Sequence, residues 1–337
     1  MHIFVYFCGQ IKTPIPYKSL PMFSAMLLAS FLTLVELNCE NLFDCRHDSL
    51  KDDVEYLPES LRRWTPKRYW RKLDAIGRAI VSCCDDSTSF GLPDIVVLCE
   101  VENDSVMRDL TRRSLLRNMH YDYLMTNSPD LRGVDVAVMF HTYSFSPISH
   151  RALRVEPVEG MRPTRDILYV AGRTAMGDTL HVFAVHAPSR YGGESHSRPF
   201  RMAVAERLCM TIDSVRKQAP DAKIIVAGDF NAYTDDKSIS FITAHSLHDV
   251  TVTATGRNGA MGTYCYDGWW GSLDHVFVSF NLLSMLHSAN INDAPFLLER
   301  DKRYGGRKPF RTYNGMRYQP GGTSDHLPLV VKLKVGR

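Results

Sequence analysis

The sequence predicts an α/β protein of packed sheets with helices outside. Three observations carry that expectation. Short runs rich in Val, Ile and Phe recur along the chain, several of them apolar on both faces, helical patterns alternate with them, and no internal repeat or low-complexity linker interrupts the series. Strands apolar on both faces belong to sheets that are covered on both sides.

The strand candidates are "LTLVEL" (33–38), "DIVVLC" (94–99), "VDVAVMF" (134–140), "ILYVAG" (167–172), "LHVFAVHA" (180–187), "KIIVAG" (223–228), "DHVFVS" (274–279) and "LPLVVKL" (327–333). Thr65 and Pro66 form an N-cap and first-turn signal, after which Tyr69, Leu73, Ile76 and Ile80 recur at helical spacing. A second helix is expected from Ser197 to about Lys217, with Val204, Leu208, Ile212 and Val215 on its buried stripe. Residues 294–323, rich in Gly, Arg, Lys and Tyr, predict a long ordered loop or insertion.

A chain of 337 residues is long for one domain but within the range of large sheet-based enzymes, so a single domain over 31–337 is expected after an extension of residues 1–30. A 45% hydrophobic content and a net charge of +3 exclude a disordered chain, a membrane bundle and a strongly cationic nucleic-acid coat. Any basic surface must be local. The eight cysteines lack C-x-x-C pairs and zinc spacing, and read as reduced, mostly buried residues. "MFSAMLLASFLTLV" has the length of a signal-peptide core, but it runs unbroken into "VELNCENLFD" without a small-residue cleavage site. A cytoplasmic monomer without stable membrane association is expected, with export through this segment as the alternative.

Polar residues interrupt the strand ends repeatedly. Asn38 follows "VEL", Glu100 follows "IVVLC", His186 ends "VFAV", Asp229 and Asn231 follow "IIVAG", Asp274 opens "HVFVS", and Asp325 and His326 open "LPLVV". Turn formation alone would also have used Gly, Pro and Ser at such places. Hard divalent cations take carboxylate oxygens, which Glu100, Asp229 and Asp325 can supply. Histidines held by acids place a proton or a positive charge, as His326 with Asp274 and His186 with Asp135 would. No Ser or Cys nucleophile on an elbow-type turn is visible, so phosphoester cleavage fits better than acyl transfer.

"LNCENLFD", "VVLCEVEN", "HAPSRYGGE", "GDFNAY", "SLDHVFVS" and "SDHLPLVV" together resemble the ordered motifs of the endonuclease/exonuclease/phosphatase superfamily, over about residues 34 to 333. The resemblance implies a four-layer sandwich of two packed mixed sheets flanked by helices, with a site for Mg2+ or Mn2+ at one end. It further implies that Glu100, Asp325 and Asn38 serve the metal and that Asp229 and Asn231 position the attacking water and the phosphate. His326 is then the catalytic histidine, oriented by Asp274. His186 matches a second histidine of the deoxyribonuclease-like and phosphatase-like branches, which departs from the exonuclease III branch and weakens an abasic-site assignment.

Two further residues, Arg132 and Asp135 in "DLRGVDVAVMF", sit at a strand entry, where Asp135 would hold His186 and Arg132 would contact phosphate. "ERDKRYGGRKPFRTYNGMRY" (299–318) interleaves cations, among them Arg307 and Arg311, with Tyr and Phe. Positive charge binds phosphates and aromatic faces stack on bases, so DNA or RNA is the expected partner, or else a smaller phosphate ester. The function expected is a metal-dependent phosphodiesterase acting as a nuclease. A phosphatase or a phospholipid or inositol phosphodiesterase on the same scaffold is the alternative, and a non-catalytic binding protein the reading from another class.

Overall fold

The computed structural model describes residues 30–84 and 91–335; the signal-like run up to residue 29 lies outside the described residues. In chain order the strands of the first half are β1 (Ser30–Leu42), β2 (Ile95–Val101), β3 (Tyr121–Met125), β4 (Asp135–His141), β5 (Phe145–Leu153), β6 (Ile167–Thr174) and β7 (Thr179–His186). There follow β8 (Lys223–Asp229), β9 (Leu247–Asp249), β10 (Tyr264–Tyr266), β11 (Trp269–Gly271), β12 (Asp274–Ser279) and β13 (Leu286–Ile291). The last are β14 (Leu298–Arg300), β15 (Arg307–Pro309), β16 (Tyr313–Asn314), β17 (Arg317–Tyr318) and β18 (Leu329–Val335). The helices are α1 (Pro66–Val81), α2 (Asp104–Arg112), α3 (Glu194–Gln218), α4 (Lys237–Ala244) and the short α5 (Phe280–Leu283).

Two six-stranded mixed sheets result, ordered β13-β18-β1-β2-β4-β3 and β5-β6-β7-β8-β12-β9. Each has a single parallel pair at its centre, β1 with β2 and β7 with β8. Parallel neighbours need a crossover. Helix α1 lies on the first crossover and α3 on the second, so the sheet centres are two βαβ units packed face to face. The carboxyl ends of all four central strands emerge on one side. In open α/β sheets that is where ligands bind.

Alternation places the core. On β7 and β8, Val182, Ala184, Ile225 and Ala227 face the other sheet, while Phe183, Val185, Ile224 and Val226 pack beneath Val204, Leu208 and Ile212 of α3. Tyr69, Leu73, Ile76 and Ile80 of α1 are buried against the outer face of the first sheet, as the helical spacing predicts. The expected four layers are present. Four outer strands escaped the sequence reading. β3, β5, β9 and β13 are at or near sheet edges, and β5 and β13 are largely solvent-facing, so they lack the apolar runs that mark buried strands. Residues 294–323 are ordered as expected, and they fold back as two small hairpins, β14–β15 and β16–β17.

Candidate functional site

At the end of β8 the backbone of Gly228 runs against β7, and a Cβ there would lie 1.8 Å from the carbonyl oxygen of Val185. Only glycine permits that approach, and it delivers Asp229 directly opposite its neighbours. Asn38, where the pairing of β1 with β2 breaks register, donates its amide to Asp229 Oδ2 at 2.9 Å across the two sheets. Asn231 donates from its backbone to Asp229 Oδ1 at 2.8 Å and from its side chain to Oδ2 at 3.2 Å. Asp229 is therefore fixed by two amide side chains. Burial, followed by the charge of Asp274, pushes its carboxyl up to about 7, against the pull of His326 and these hydrogen bonds.

Asp274 pairs directly with Asp229 across β12 and β8. Its Oδ2 lies 2.8 Å from His326 Nδ1 and also accepts from the Thr263 hydroxyl. Burial works to lower the basicity of His326, but the charge and hydrogen bond of Asp274, then the charges of Asp229 and Asp325, outweigh it and hold the imidazole well above its ordinary range. Ser324 anchors this segment, donating to the Asn38 carbonyl at 2.6 Å while accepting from the His326 N–H at 3.1 Å. Tyr264 covers the imidazole, with ring centres 5.0 Å apart.

Glu100 and His186 complete the constellation. His186 Nε2 is 3.7 Å from both Glu100 Oε1 and Asp229 Oδ2. Burial, with the charges of Arg165, Arg132 and His326, drives His186 well below the usual range, so it is neutral. The expected support of His186 by Asp135 is not made. Asp135 Oδ1 instead accepts from the Thr126 hydroxyl at 2.5 Å and the Ser128 N–H at 3.0 Å, tying down the 126–128 turn, while His186 Nδ1 is buried without a hydrogen-bond partner among the described residues. Arg132, half exposed, pairs with Asp130 at 3.6 Å.

The ligand atoms of Asp229, Asp274 and His326 lie within 4.8 Å of one another. That compactness follows from strand pairing and the His326–Asp274 hydrogen bond, which suits proton handling. Glu100 and Asp325 are the further carboxylates at this end of the fold, and neither belongs to that compact group. Glu100 spends one oxygen on the Asn41 N–H at 2.8 Å and Asp325 one on Arg311 at 2.8 Å, and among the described residues each keeps the other outside any hydrogen bond. An all-oxygen set of this kind fits a hard divalent ion. Glu40, Asn41, Glu100 and Asn231 all have φ between 49° and 61°. Left-handed backbone at four non-glycine residues around one site marks a place where the fold holds strain for function.

Glu36, Glu40, Lys72 and Arg165 were not anticipated, and they surround the expected Arg311. Arg311 bridges Asp325 and Glu40, the latter at 3.2 Å, and buried Glu40 also accepts the Thr312 N–H at 2.6 Å. Lys72 of α1, 1% exposed, donates to Thr312 and Thr323. Arg165 holds the chain after β7, donating to the His186 and Ala187 carbonyls and to Asp130. Glu36 is 0% exposed beneath Asp229 and Asp274, and neither carboxylate oxygen has a hydrogen-bond partner among the described residues. Burial, then the charges of Asp274 and Asp229, raises it well above the carboxylate range, so it is a neutral acid. Its only sequence signal was a Glu two residues before Asn38, on the same face of the strand. Of the two loop cations singled out, Arg311 enters the site and Arg307 is exposed outside it.

Fold and site together define an α/β sandwich carrying a carboxylate, amide and histidine constellation at the carboxyl ends of its central strands. The family model "Endonuclease/Exonuclease/phosphatase family" matches residues 33–335, and the chain belongs to that family. An endonuclease/exonuclease/phosphatase family protein from Bacteroides thetaiotaomicron is similar in structure, with 16% identity, 90% of this chain and 98% of that one covered, and a TM-score of 0.59. A mannosyl-6-phosphatase of the same organism matches with 16% identity over 90% and 99% of the two chains and a TM-score of 0.57. The catalytic domain of human Nocturnin, solved with a bound sulfate anion, matches with 18% identity over 90% and 93% and a TM-score of 0.53. No curated protein matches the chain.

Proposed function

We propose that this protein is a magnesium- or manganese-dependent phosphodiesterase acting as a nuclease, a single catalytic domain over 31–337. The observation that carries the reading is Asp229, held by Asn38 and Asn231 and placed beside the His326–Asp274 pair, with Glu100 across the site. A divalent ion at Glu100 and Asp325, with Asn38 nearby, would supply positive charge to polarise the phosphate. Asp229 takes the proton of the attacking water, a task suited to a carboxyl raised toward neutrality. Protonated His326, steadied by Asp274, donates from Nε2 to a phosphoryl oxygen as charge develops in the in-line displacement. Neutral His186 and Arg132 are proposed to border the phosphate.

The basic, aromatic loops beside Asp325 favour a polynucleotide. One feature favours the second reading, a phosphatase of a small ester. The basic surface is walled into a pocket instead of running as an open track. The test is a panel with either metal: an oligonucleotide, bis(p-nitrophenyl) phosphate, a sugar phosphate and an inositol phosphate. Cleavage of the diesters above the monoesters is expected, and no metal-dependent cleavage of any member refutes the proposal.

A further inference from the structure

A cavity of about 560 Å³ opens from Asp325, Arg311 and Tyr264 outward, and neither six-stranded sheet lines it. Its walls are three hairpins: the tip of β10–β11, the β14–β15 hairpin and the β16–β17 hairpin. These walls are built to hold their shape. Asp301 accepts the N–H groups of Arg303 at 2.8 Å and Tyr304 at 3.1 Å, fixing the β14–β15 tip, and the Tyr304 hydroxyl donates to Asp267 at 3.0 Å, closing that tip on β10–β11. Gly268 has φ +84, and a Cβ there would lie 2.7 Å from Tyr304 Cβ, so the two hairpins meet where only glycine fits.

The charges in this cavity are unequally satisfied. Each lining acid has a partner: Glu299 faces Lys308 at 3.9 Å, Asp325 binds Arg311, Asp267 accepts from Tyr304, and Asp301 is spent on its own turn. The lining cations Arg300, Lys302, Arg303 and Arg317 make no ion pair among the described residues. Arg300, Lys302, Arg303, Lys308, Arg311 and Arg317 outnumber the lining acids Asp267, Glu299, Asp301 and Asp325, so the concave wall carries an excess of positive charge, which suits an anion, and rigid guanidinium groups favour phosphate. On the proposed mechanism the scissile phosphate would lie at Glu100 and Asp229, so this would be a different anion.

We infer that the hairpin-walled cavity is a subsite for a second phosphate group of the substrate, held by Arg303 and Arg317 beside the scissile one. The inference rests on the phosphoesterase reading for its orientation, since the cavity joins the site at Asp325. A second phosphate can come from a nucleotide chain or from a small bisphosphorylated ester, and the cavity is large enough for one nucleotide-sized unit.

The test is calorimetric binding to the full chain in metal-free buffer, so that turnover plays no part. Two ligand pairs are compared: thymidine 3′,5′-bisphosphate against thymidine 5′-monophosphate, and glucose 1,6-bisphosphate against glucose 6-phosphate. At least one bisphosphate should bind tenfold or more tightly than its monophosphate, the preferred pair naming the source. In the doubly substituted R303A/R317A protein that ratio should fall to within about twofold of unity, while R303K/R317K retains most of it. A ratio near one for both pairs in the native protein, or a preference that survives R303A/R317A, overturns the subsite. Loss of all ester hydrolysis with the binding preference intact would refute the catalytic reading alone.

Discussion

Asp229 and Asp274 are directly opposed residues of β8 and β12, two buried acids on neighbouring strands with His326 hydrogen-bonded to the second of them. Like charges opposite each other on a sheet repel. The protonated imidazole offsets that repulsion, and Asp274 in turn is the largest influence raising its basicity. Replacing Asp274 with Asn should therefore lower the pKa of His326 and leave it neutral at pH 7. On the proposed mechanism turnover falls by about two to three orders of magnitude, with a smaller change in KM. Histidine NMR titration checks the first outcome and steady-state kinetics the second.

Asp229→Asn and His326→Ala should each reduce turnover by about two to four orders of magnitude with the fold intact. For Asp229 the stability effect has a sign that distinguishes it from a structural residue. Its folded pKa, about 7, lies above its ordinary value, so the native state binds the extra proton. The associated stability is fully present below about pH 4 and is lost as pH rises toward and through 7. Asp229→Asn should thus melt higher than the native protein at pH 8, by a few degrees at about 2–4 °C per kcal/mol, and the difference should disappear near pH 4. A variant that melts lower at pH 8 would mean that the carboxylate is held more favourably than its burial implies.

Glu36 offers the same test without touching substrate. It is a neutral acid inside a strand, without a hydrogen-bond partner among the described residues, so Glu36→Gln keeps the shape and removes the group that must stay protonated. Its stability relative to the native protein should rise between pH 5 and 8, measured by denaturant unfolding at each pH.

The parts of the site legible in the sequence were those that end apolar strands. Asn38, Glu100, His186 and Asp229 each close a run of Val, Ile and Leu, and a topology with two central parallel pairs brings those ends together. The charged network behind them was not legible. Lys72 and Thr312 meet across 240 residues and Glu40 and Thr312 across 272, and such pairs leave no local periodicity to read. Glu36 was hidden inside "LTLVEL", where one acid among apolar neighbours reads as an outward-facing residue. The pairing of Asp135 with His186 failed for a related reason. Both side chains are buried near the same end, but the 126–128 turn offers Asp135 two donors that the strand pattern did not reveal.

Metal dependence is the next expectation. Glu100 and Asp325 present oxygens only, and no cysteine joins them, so EDTA should abolish hydrolysis and magnesium or manganese should restore it, whereas zinc should restore little. Glu100→Gln should raise the metal concentration needed for half-maximal activity by tenfold or more. Full hydrolysis in excess chelator would remove the metal from the mechanism.

Salt dependence separates a polynucleotide substrate from a small ester. Arg303, Arg307 and Lys308 belong to the β14–β15 hairpin, and a bound strand tracking that hairpin would release about one counterion for each phosphate it contacts. Arg311 stands apart, because Glu40 and Asp325 already engage it and its loss would disturb the site itself. If the substrate is a polynucleotide, the logarithm of the binding constant should fall against the logarithm of salt with a slope of about −2 to −3 for single strands or duplex. Replacing Arg303, Arg307 and Lys308 together with Ala should flatten that slope by about two units, while cleavage of bis(p-nitrophenyl) phosphate, which carries no second phosphate, should stay within about threefold. Fluorescence anisotropy of a labelled oligonucleotide between 50 and 300 mM salt, roughly the range in which counterion release dominates, reads the slope directly. A shallow slope in the native protein, together with faster turnover of a sugar or inositol phosphate than of DNA or RNA, would assign the enzyme to small phosphate esters.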